Sequence, residues 1–139
     1  HDVRVVHAGV VPGIEMAEQE VRTLLYLRSL HNEGPSLRPS EVRAERSWAH
    51  SYMGPPHIVF GHNAQAEPEI APHATGLDTA AVYGGRLTAM VLIEGERPPG
   101  PEDRQRVLVS VPSRRAYFVK ERRPEQDPST DTSLLRRAS

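Results

Sequence analysis

The chain has 139 residues, 37% of them hydrophobic, which leaves room for one domain with a modest core. Its formal net charge of −1 gives no electrostatic reason for nucleic acid or an anionic membrane to be an obligatory partner. The absence of cysteine excludes a disulfide framework, a zinc ribbon and a thiol nucleophile. No apolar run approaches the ~18 residues that span a bilayer and no signal-peptide pattern opens the chain, so a cytoplasmic protein without a membrane partner is expected.

The first half of the chain has the pattern of an α/β domain. Runs of β-branched residues predict strands at 3–7 and 57–60. Apolar residues at roughly helical spacing predict a helix over 14–30. The segment 32–46 has mixed charge, Gly and Pro without clear periodicity, which indicates a surface excursion.

The second half is predicted to complete the sheet and then lose order. Residues 63–72 are expected to form a loop, and 87–93 a strand. A terminal pair of strands is predicted at 107–111 and 116–119, split by Pro and Ser. Beyond them the composition turns to charge, Pro, Ser and Thr, which cannot bury enough apolar area to offset the entropy of ordering. The prediction is therefore one domain over 1–120 and a disordered charged tail over 121–139.

Two histidines close apolar runs, and each run ends in the same local context. They lie in Val5-Val6-His7-Ala8-Gly9 and Ile58-Val59-Phe60-Gly61-His62. This pattern is typical of a buried strand that carries an imidazole to the carboxyl edge of a sheet, where α/β proteins keep their sites. Neutral imidazole is the commonest metal ligand, and a neighbouring glycine lets other groups approach closely. We predict that His7 and His62 share a metal ion; the alternative is two ordinary strand-end histidines.

A third segment makes this pattern more specific. In order along the chain, Val6-His7-Ala8-Gly9, Val59-Phe60-Gly61-His62 and Gly76-Leu77-Asp78-Thr79-Ala80-Ala81-Val82-Tyr83-Gly84-Gly85 resemble the calcineurin-like metallophosphoesterases. The most similar branch is the ApaH-like one, related to symmetrical dinucleoside tetraphosphatases and to serine/threonine protein phosphatases. The resemblance covers residues 3 to about 119. It implies an α/β fold that is the carboxyl half of a four-layered αββα sandwich with a mixed sheet.

The resemblance also implies a metal site and shows which parts of it are missing. Members of this family hold two divalent transition-metal ions (Mn, Fe or Zn), and the motifs place His7 and His62 as ligands of the second ion. The motifs Gly-Asp-x-His-Gly, Gly-Asp-x-x-Asp-Arg-Gly and Gly-Asn-His-Glu, which supply the other ligands and the proton donor, do not occur here. Two imidazoles without carboxylates form a weak site. We therefore expect the second half of a phosphatase domain, with no catalytic residue in this half and no activity on its own.

Four other residues are candidates for supporting roles. By the resemblance, Arg28 clamps substrate phosphates; otherwise it is a solvated helix residue. Asp78 is expected to accept a hydrogen bond from a ligating imidazole, or else to cap a turn. Asn63 follows the second histidine and is placed with Asp78 as a supporting residue of the metal site. Tyr83 is expected to line the substrate cleft, although packing is as good an explanation.

The chain departs from the family pattern at one point in the third segment. Ala80 and Ala81 stand where the family usually has Gly-Cys, so a positive φ at this point would be costly. Trp48 and Tyr52 are expected to be the hydrophobic cover of the sheet edge.

The resemblance implies a phosphorylated substrate without ranking the choices. These are dinucleoside polyphosphates, nucleotide-capped RNA ends, inorganic polyphosphate and phosphoproteins, and no sequence-specific nucleic-acid binding is expected. One rival is a truncated, non-catalytic relic that acts as an interaction module. Another is a single-metal hydrolase complete within the chain, which requires a carboxylate near both histidines. A half-domain would also expose an apolar sheet edge and tend to self-associate.

Overall fold

The computed structural model describes residues 2–33, 36–44 and 47–119, so the predicted tail at 121–139 lies outside the described residues. The strands are β1 (Val3–Val5), β2 (Ser29–Glu33), β3 (Ser36–Ser40), β4 (His57–Phe60), β5 (Glu69–Ala71), β6 (Ala74–Gly76), β7 (Arg86–Met90) and β8 (Leu108–Pro112). The α-helix α1 spans Val21–Tyr26, and 3-10 helices span Met16–Glu18, Trp48–Ser51, Ala81–Tyr83 and Pro101–Val107. No helix in the described ranges is both long and apolar enough to cross a membrane.

A four-stranded mixed sheet with the order β1-β4-β6-β5 is the centre of the fold. β1, β4 and β6 are parallel, and β5 is antiparallel to β6. The pairs β2-β3 and β7-β8 form separate antiparallel hairpins. Because β1 and β4 are parallel neighbours, their carboxyl ends meet at one edge of the sheet. The mixed α/β character predicted from the sequence is confirmed.

One face of this sheet carries the hydrophobic core. Ile58, Phe60 and Ala74 alternate with residues of the other face and are fully or almost fully buried. Trp48 is 0% exposed, and its ring lies 4.8 Å from that of Phe60, centroid to centroid. Tyr52 packs edge-on against Trp48 at 6.1 Å. As predicted, Trp48 and Tyr52 are part of the hydrophobic cover of the sheet.

The opposite face buries a charged residue at the amino end of β4. Arg104, on the 3-10 helix Pro101–Val107, is 1% exposed and has its guanidinium over Thr75 and His57. Its Nε donates to the Pro99 carbonyl at 2.7 Å, and its Nη1 donates to His57 Nε2 at 3.0 Å. All of these acceptors are neutral, so the buried cation is satisfied by hydrogen bonds and not by a carboxylate. The imidazole of His57 can accept from Arg104 only while its Nε2 is unprotonated.

This arrangement predicts that the protein gains stability as the pH rises. Burial, helped by the nearby charge of Arg104, lowers the pKa of His57 from 6.5 to about 4. Between these two values the unfolded chain binds more protons than the folded one, so the stabilisation is complete above pH 6.5 and is lost as the pH falls toward 4. Allowing for solvent screening of the half-exposed ring, we expect about 1–2 kcal/mol from this group.

Urea unfolding at a series of pH values measures this effect. His57→Gln, which keeps an acceptor for Arg104, should flatten the dependence on pH between 4 and 6.5. His31→Gln, at an exposed position on β2, is the matched control and should keep the wild-type slope. An unchanged slope in His57→Gln would show that another group is responsible.

The predicted first strand and the predicted helix both need correction. Val5 is 78% exposed, so β1 is not a buried strand; it is the edge strand of the sheet and is paired only with β4 among the described strands. The helix predicted over 14–30 is limited to α1. Before it, the Gln19 side chain is hydrogen bonded to both the N–H and the carbonyl of Val11 and to the carbonyl of Ile14, which holds that segment in a loop.

Other strand predictions were also incomplete. The segment 32–46 was predicted as an irregular surface excursion, but it supplies β3 and part of β2. The backbones of these two strands pair continuously, from Ser29 opposite Ser40 to Glu33 opposite Ser36. The predicted loop 63–72 contains the whole of β5. β8 pairs with β7, not with 116–119; in that last segment the Tyr117 and Phe118 N–H groups donate to the carbonyl of Val82 instead.

Candidate metal centre

His7 and His62 lie side by side at the carboxyl edge of the sheet. Nε2 of His7 is 3.1 Å from Nδ1 of His62, and the ring centroids are 5.0 Å apart. The convergence follows from the topology: β1 and β4 are parallel neighbours, and the N–H of Gly61 continues their pairing by donating to the His7 carbonyl at 2.9 Å. Residues 55 positions apart in the chain are thus brought into direct contact.

His62 occupies an unusual backbone conformation. Its φ is +68°, a left-handed value that is uncommon for a residue with a side chain. The N–H of Asn63 donates to the carbonyl of Gly61 at 2.8 Å, which closes a tight turn around His62. Burial, together with the charges of Arg28 and His7, lowers the pKa of His62, although Asp78 and Glu41 oppose the shift. The turn therefore fixes the backbone that carries this imidazole, and the lowered pKa favours its neutral form, which is the form that binds metals.

The geometry of the histidine pair fits two ligands of one ion. Metal–nitrogen bonds are about 2.0–2.1 Å, so two imidazole nitrogens at right angles around an ion lie about 3 Å apart. The observed separation of 3.1 Å, which is also a hydrogen-bond distance between the two rings, is close to this value. However, within residues 2–33, 36–44 and 47–119 no group of three or more His, Cys, Asp and Glu side chains is positioned to hold a metal ion. A role for the pair as metal ligands therefore stays a prediction, and further ligands would have to come from elsewhere.

The glycine after His7 has a packing role that the sequence did not reveal. A Cβ at Gly9 would overlap the indole of Trp48, which lies against the backbone at this point. The indole N–H of Trp48 also donates to the carbonyl of Ala8 at 3.1 Å. The close approach that a glycine allows is here the approach of a core tryptophan, and it fixes the chain immediately after His7.

Arg28 and Asn63 are bonded to each other beside the histidines. Arg28 Nη1 donates to Asn63 Oδ1 at 3.1 Å, and Asn63 Nδ2 donates back to the Arg28 carbonyl at 3.3 Å. Asn63 is only 6% exposed, so it is a buried brace for Arg28. Arg28 is not a solvated helix residue, because α1 ends at Tyr26 and the Arg28 N–H is already bonded to the carbonyl of Ser40.

Asp78 and Tyr83 have clear structural contacts. Asp78 Oδ1 accepts a hydrogen bond from the N–H of Ala80 at 3.1 Å, which fits the alternative that Asp78 caps a turn. The charge of Asp78 also raises the pKa of His62, against the overall lowering. Ala80 has a φ of +62°, so the costly positive φ does occur where the family usually has glycine. Tyr83 packs edge-on against Phe118, with centroids 5.9 Å apart. A direct role for Asp78 at the imidazoles or for Tyr83 at substrate stays a prediction.

The sequence analysis missed one aromatic neighbour of the candidate metal centre. The ring of Tyr26, at the end of α1, lies edge-on to that of His62 with centroids 6.4 Å apart. Tyr26 is 47% exposed, so its ring is in contact with both His62 and solvent. The helical pattern alone gave no signal, since the same residue would be an ordinary surface tyrosine if α1 lay elsewhere.

Comparison with known proteins shows the class of protein to which this fold is similar. A solved crystal structure assigned to a diadenosine tetraphosphatase superposes with a TM-score of 0.65 and 33% sequence identity. The superposition covers 81% of this chain and 47% of that one. No family model matches the chain. The structural likeness shows a mixed α/β fold of the metallophosphoesterase kind.

Curated relatives make the assignment more particular. The chain is 33% identical over 125 residues to the asymmetrical bis(5'-nucleosyl)-tetraphosphatase PrpE of Bacillus thuringiensis (strain Al Hakam), and equally to those of Bacillus cereus (strain AH820) and Bacillus anthracis (strain CDC 684 / NRRL 3495). Each alignment covers 86% of this chain and 44% of the relative. The resemblance to the ApaH-like branch of the calcineurin-like metallophosphoesterases is confirmed, and the chain spans less than half the length of these relatives.

Proposed function

We propose that this chain is the carboxyl half of a metal-dependent phosphoesterase domain that hydrolyses dinucleoside polyphosphates. The observation that supports this most directly is the 3.1 Å approach of His7 to His62. The names of the relatives favour a dinucleoside tetraphosphate over capped RNA, polyphosphate or a phosphoprotein. All four substrates present the same phosphoryl group to the site, and they differ in what is attached to it.

The residues of this chain would divide the work by position. His7 and His62 would hold the second of two divalent ions, and such ions would supply a hydroxide nucleophile near neutral pH and stabilise charge on the phosphoryl group. Arg28, held by the buried Asn63, presents a guanidinium suited to a phosphate oxygen pair. The remaining ligands and the proton donor would come from a segment that contains the missing motifs. Without that segment the chain should be inactive, as an incomplete shell binds metal weakly.

The rival proposal is a relic that kept the sheet and lost the chemistry. Its supporting observation is that the described residues form no complete metal-binding group. The coding sequence upstream of His1 separates the two proposals. Gly-Asp-x-His-Gly and Gly-Asn-His-Glu in the same reading frame support the enzyme, and the protein that includes them should release nucleotides from diadenosine tetraphosphate when Mn²⁺ is added. An in-frame start immediately before His1 supports the relic.

The hairpin β7-β8 carries an apolar face that supports the half-domain proposal. Its inner face is polar: Thr88 Oγ1 is 2.6 Å from Thr79 Oγ1 and 2.7 Å from Ser110 Oγ. On its outer face Leu87 is paired with Val111, and these side chains are 63% and 53% exposed. Exposed apolar side chains that adjoin on one face are typical of a surface that a partner covers.

We therefore expect the isolated chain to self-associate through this hairpin. Leu87→Glu should shift the association midpoint to at least about tenfold higher protein concentration, because a buried carboxylate opposes burial of the patch. Sedimentation velocity over a concentration series measures the shift. Val42→Glu, at a site 70% exposed and outside the hairpin, is the matched control. A chain that stays monomeric at all concentrations would count against the half-domain proposal.

A further inference from the structure

The loop that precedes β7 and the segment that follows β8 form a surface that the proposed function does not use. These two segments, 81–85 and 113–118, lie side by side. The N–H groups of Tyr117 and Phe118 both donate to the carbonyl of Val82, at 2.8 and 3.0 Å. Two more hydrogen bonds, of 2.7 and 2.8 Å, tie the start of the second segment to the first. The backbone that carries the side chains of this surface is therefore fixed.

Three aromatic side chains of these segments are partly supported by the protein and partly open to solvent. Tyr83 is 52% exposed, Tyr117 is 60% exposed and Phe118 is 54% exposed. Tyr83 and Phe118 also support each other through their edge-on contact. We call these three residues the aromatic platform. Aromatic rings that are held in place and reach solvent are surfaces on which nucleobases can stack.

The stretches of chain around the aromatic platform carry charge of one sign. Residues 79–93 and 104–119 contain five arginines and no Asp or Glu, although the whole chain has 17 basic and 18 acidic residues. Two of the five are already accounted for, because Arg104 is buried and Arg106 is paired with a neighbouring carboxylate. The net charge of −1 therefore conceals a local excess of positive charge.

The other three arginines flank the aromatic platform. Arg114 and Arg115 precede Tyr117, and Arg86 follows the loop that holds Tyr83. All three are exposed, and within the described part of the chain no carboxylate lies at ion-pair distance from them. The guanidinium carbon of Arg115 is 5.1 Å from the centroid of the Tyr117 ring, so cation and ring are presented together. This surface thus offers cations without counterions beside exposed aromatic rings.

We propose that the aromatic platform binds single-stranded nucleic acid, with bases stacked on its rings and the phosphate backbone at Arg86, Arg114 and Arg115. Cations combined with exposed aromatic rings bind single strands of any sequence, because every base has a π-face and every linkage a negative charge. A duplex would satisfy the cations alone, since its bases are stacked on one another. Carboxylates elsewhere in the chain oppose this binding little, because exposed charges farther away than about 10 Å are largely screened at 0.1 M salt. The proposal goes beyond the proposed function and depends on neither metal nor hydrolysis.

Fluorescence anisotropy with labelled oligonucleotides of about 12 nucleotides tests the stacking part of the proposal. The full chain is titrated into oligouridylate RNA, oligodeoxyuridylate DNA and a duplex of the same length. We expect the single strands to bind more tightly than the duplex. Phe118→Leu removes a ring but keeps an apolar side chain, and it should weaken single-strand binding about tenfold because one base loses its stacking partner. Met53→Leu, at a site 75% exposed and outside the aromatic platform, is the matched control and should leave the affinity unchanged.

The dependence of the affinity on salt tests the contribution of the arginines. Each phosphate contact to a single strand adds about 0.7 to the slope of log affinity against log salt. The double variant Arg114→Gln and Arg115→Gln should therefore lower this slope by about 1.4. The double variant Arg4→Gln and Arg97→Gln removes the same charge from exposed positions elsewhere and should keep the wild-type slope.

Three results would overturn the proposal: no binding of either single strand, equal binding of the duplex, or equal affinities of Phe118→Leu and Met53→Leu. An anionic bilayer is the other partner of complementary charge, so the chain is also sedimented with vesicles of phosphatidylcholine and phosphatidylserine. Co-sedimentation that is lost in Phe118→Leu, without binding of the oligonucleotides, would assign the aromatic platform to a membrane and overturn the proposal. Tighter binding of the RNA than of the DNA would support it and indicate a further contact to the 2'-hydroxyl groups.

Discussion

In a protein that joins this chain to the missing motifs, the proposed function predicts that His62→Ala reduces hydrolysis of diadenosine tetraphosphate by about 100-fold or more. Loss of residues that merely support a ligand already costs 10–100-fold in metal affinity or activity, and His62 is proposed to contact the ion itself. His7→Ala should have a similar effect, and the double variant should be little worse than either single one, because in the proposed site the two imidazoles would bind the same ion. Hydrolysis of diadenosine tetraphosphate at saturating Mn²⁺ measures the loss.

The same variants can be compared in the chain described here, where only metal binding is measured. Weak binding of a transition metal such as Zn²⁺ to the wild-type chain should be lost in His62→Ala and kept in His31→Ala, whose imidazole is exposed on β2. Binding that survives in His62→Ala would remove the histidine pair from the metal site. Tight binding of one equivalent that requires His62 would instead favour a single-metal hydrolase complete within the chain.

The second large effect is expected for Trp48→Ala, which should lower the free energy of unfolding by about 3–5 kcal/mol. Trp48 is 0% exposed, and its removal would leave a cavity between Phe60 and the backbone at Gly9. The substitution also removes the indole donor from the Ala8 carbonyl. A loss of this size is a large fraction of the total stability of a small domain.

Urea unfolding followed by far-ultraviolet circular dichroism measures this change, since Trp48 is the only tryptophan and its fluorescence disappears with it. Trp48→Phe retains an aromatic ring in the core and is expected to cost less than the alanine variant. A decrease below about 1 kcal/mol in Trp48→Ala would mean that the core collapses to fill the space. Trp48 contacts Ala8 and Gly9, the two residues that follow His7. The alanine variant should therefore also weaken metal binding.

Predictions based on local residue patterns succeeded where a strong signal was short and bounded. The strand at His57–Phe60 has its predicted bounds because a compact β-branched run follows Gly-Pro-Pro. The helix prediction over 14–30 was too long. The apolar spacing is interrupted by Gln19, whose side chain is hydrogen bonded to three backbone groups outside any helix. The β2-β3 hairpin was not predicted, because its strands have little apolar alternation and are defined by their mutual backbone pairing.

The sequence by itself was sufficient to predict the α/β character, the family resemblance and the two histidines, because each of these depends on patterns within short runs of residues. Tertiary structure alone decided that β1 lies parallel beside β4, which brings His7 within 3.1 Å of His62. It alone also brought Arg28 into hydrogen-bond contact with Asn63. Contacts between distant segments depend on strand order and side-chain direction, and no local pattern in the chain encodes either.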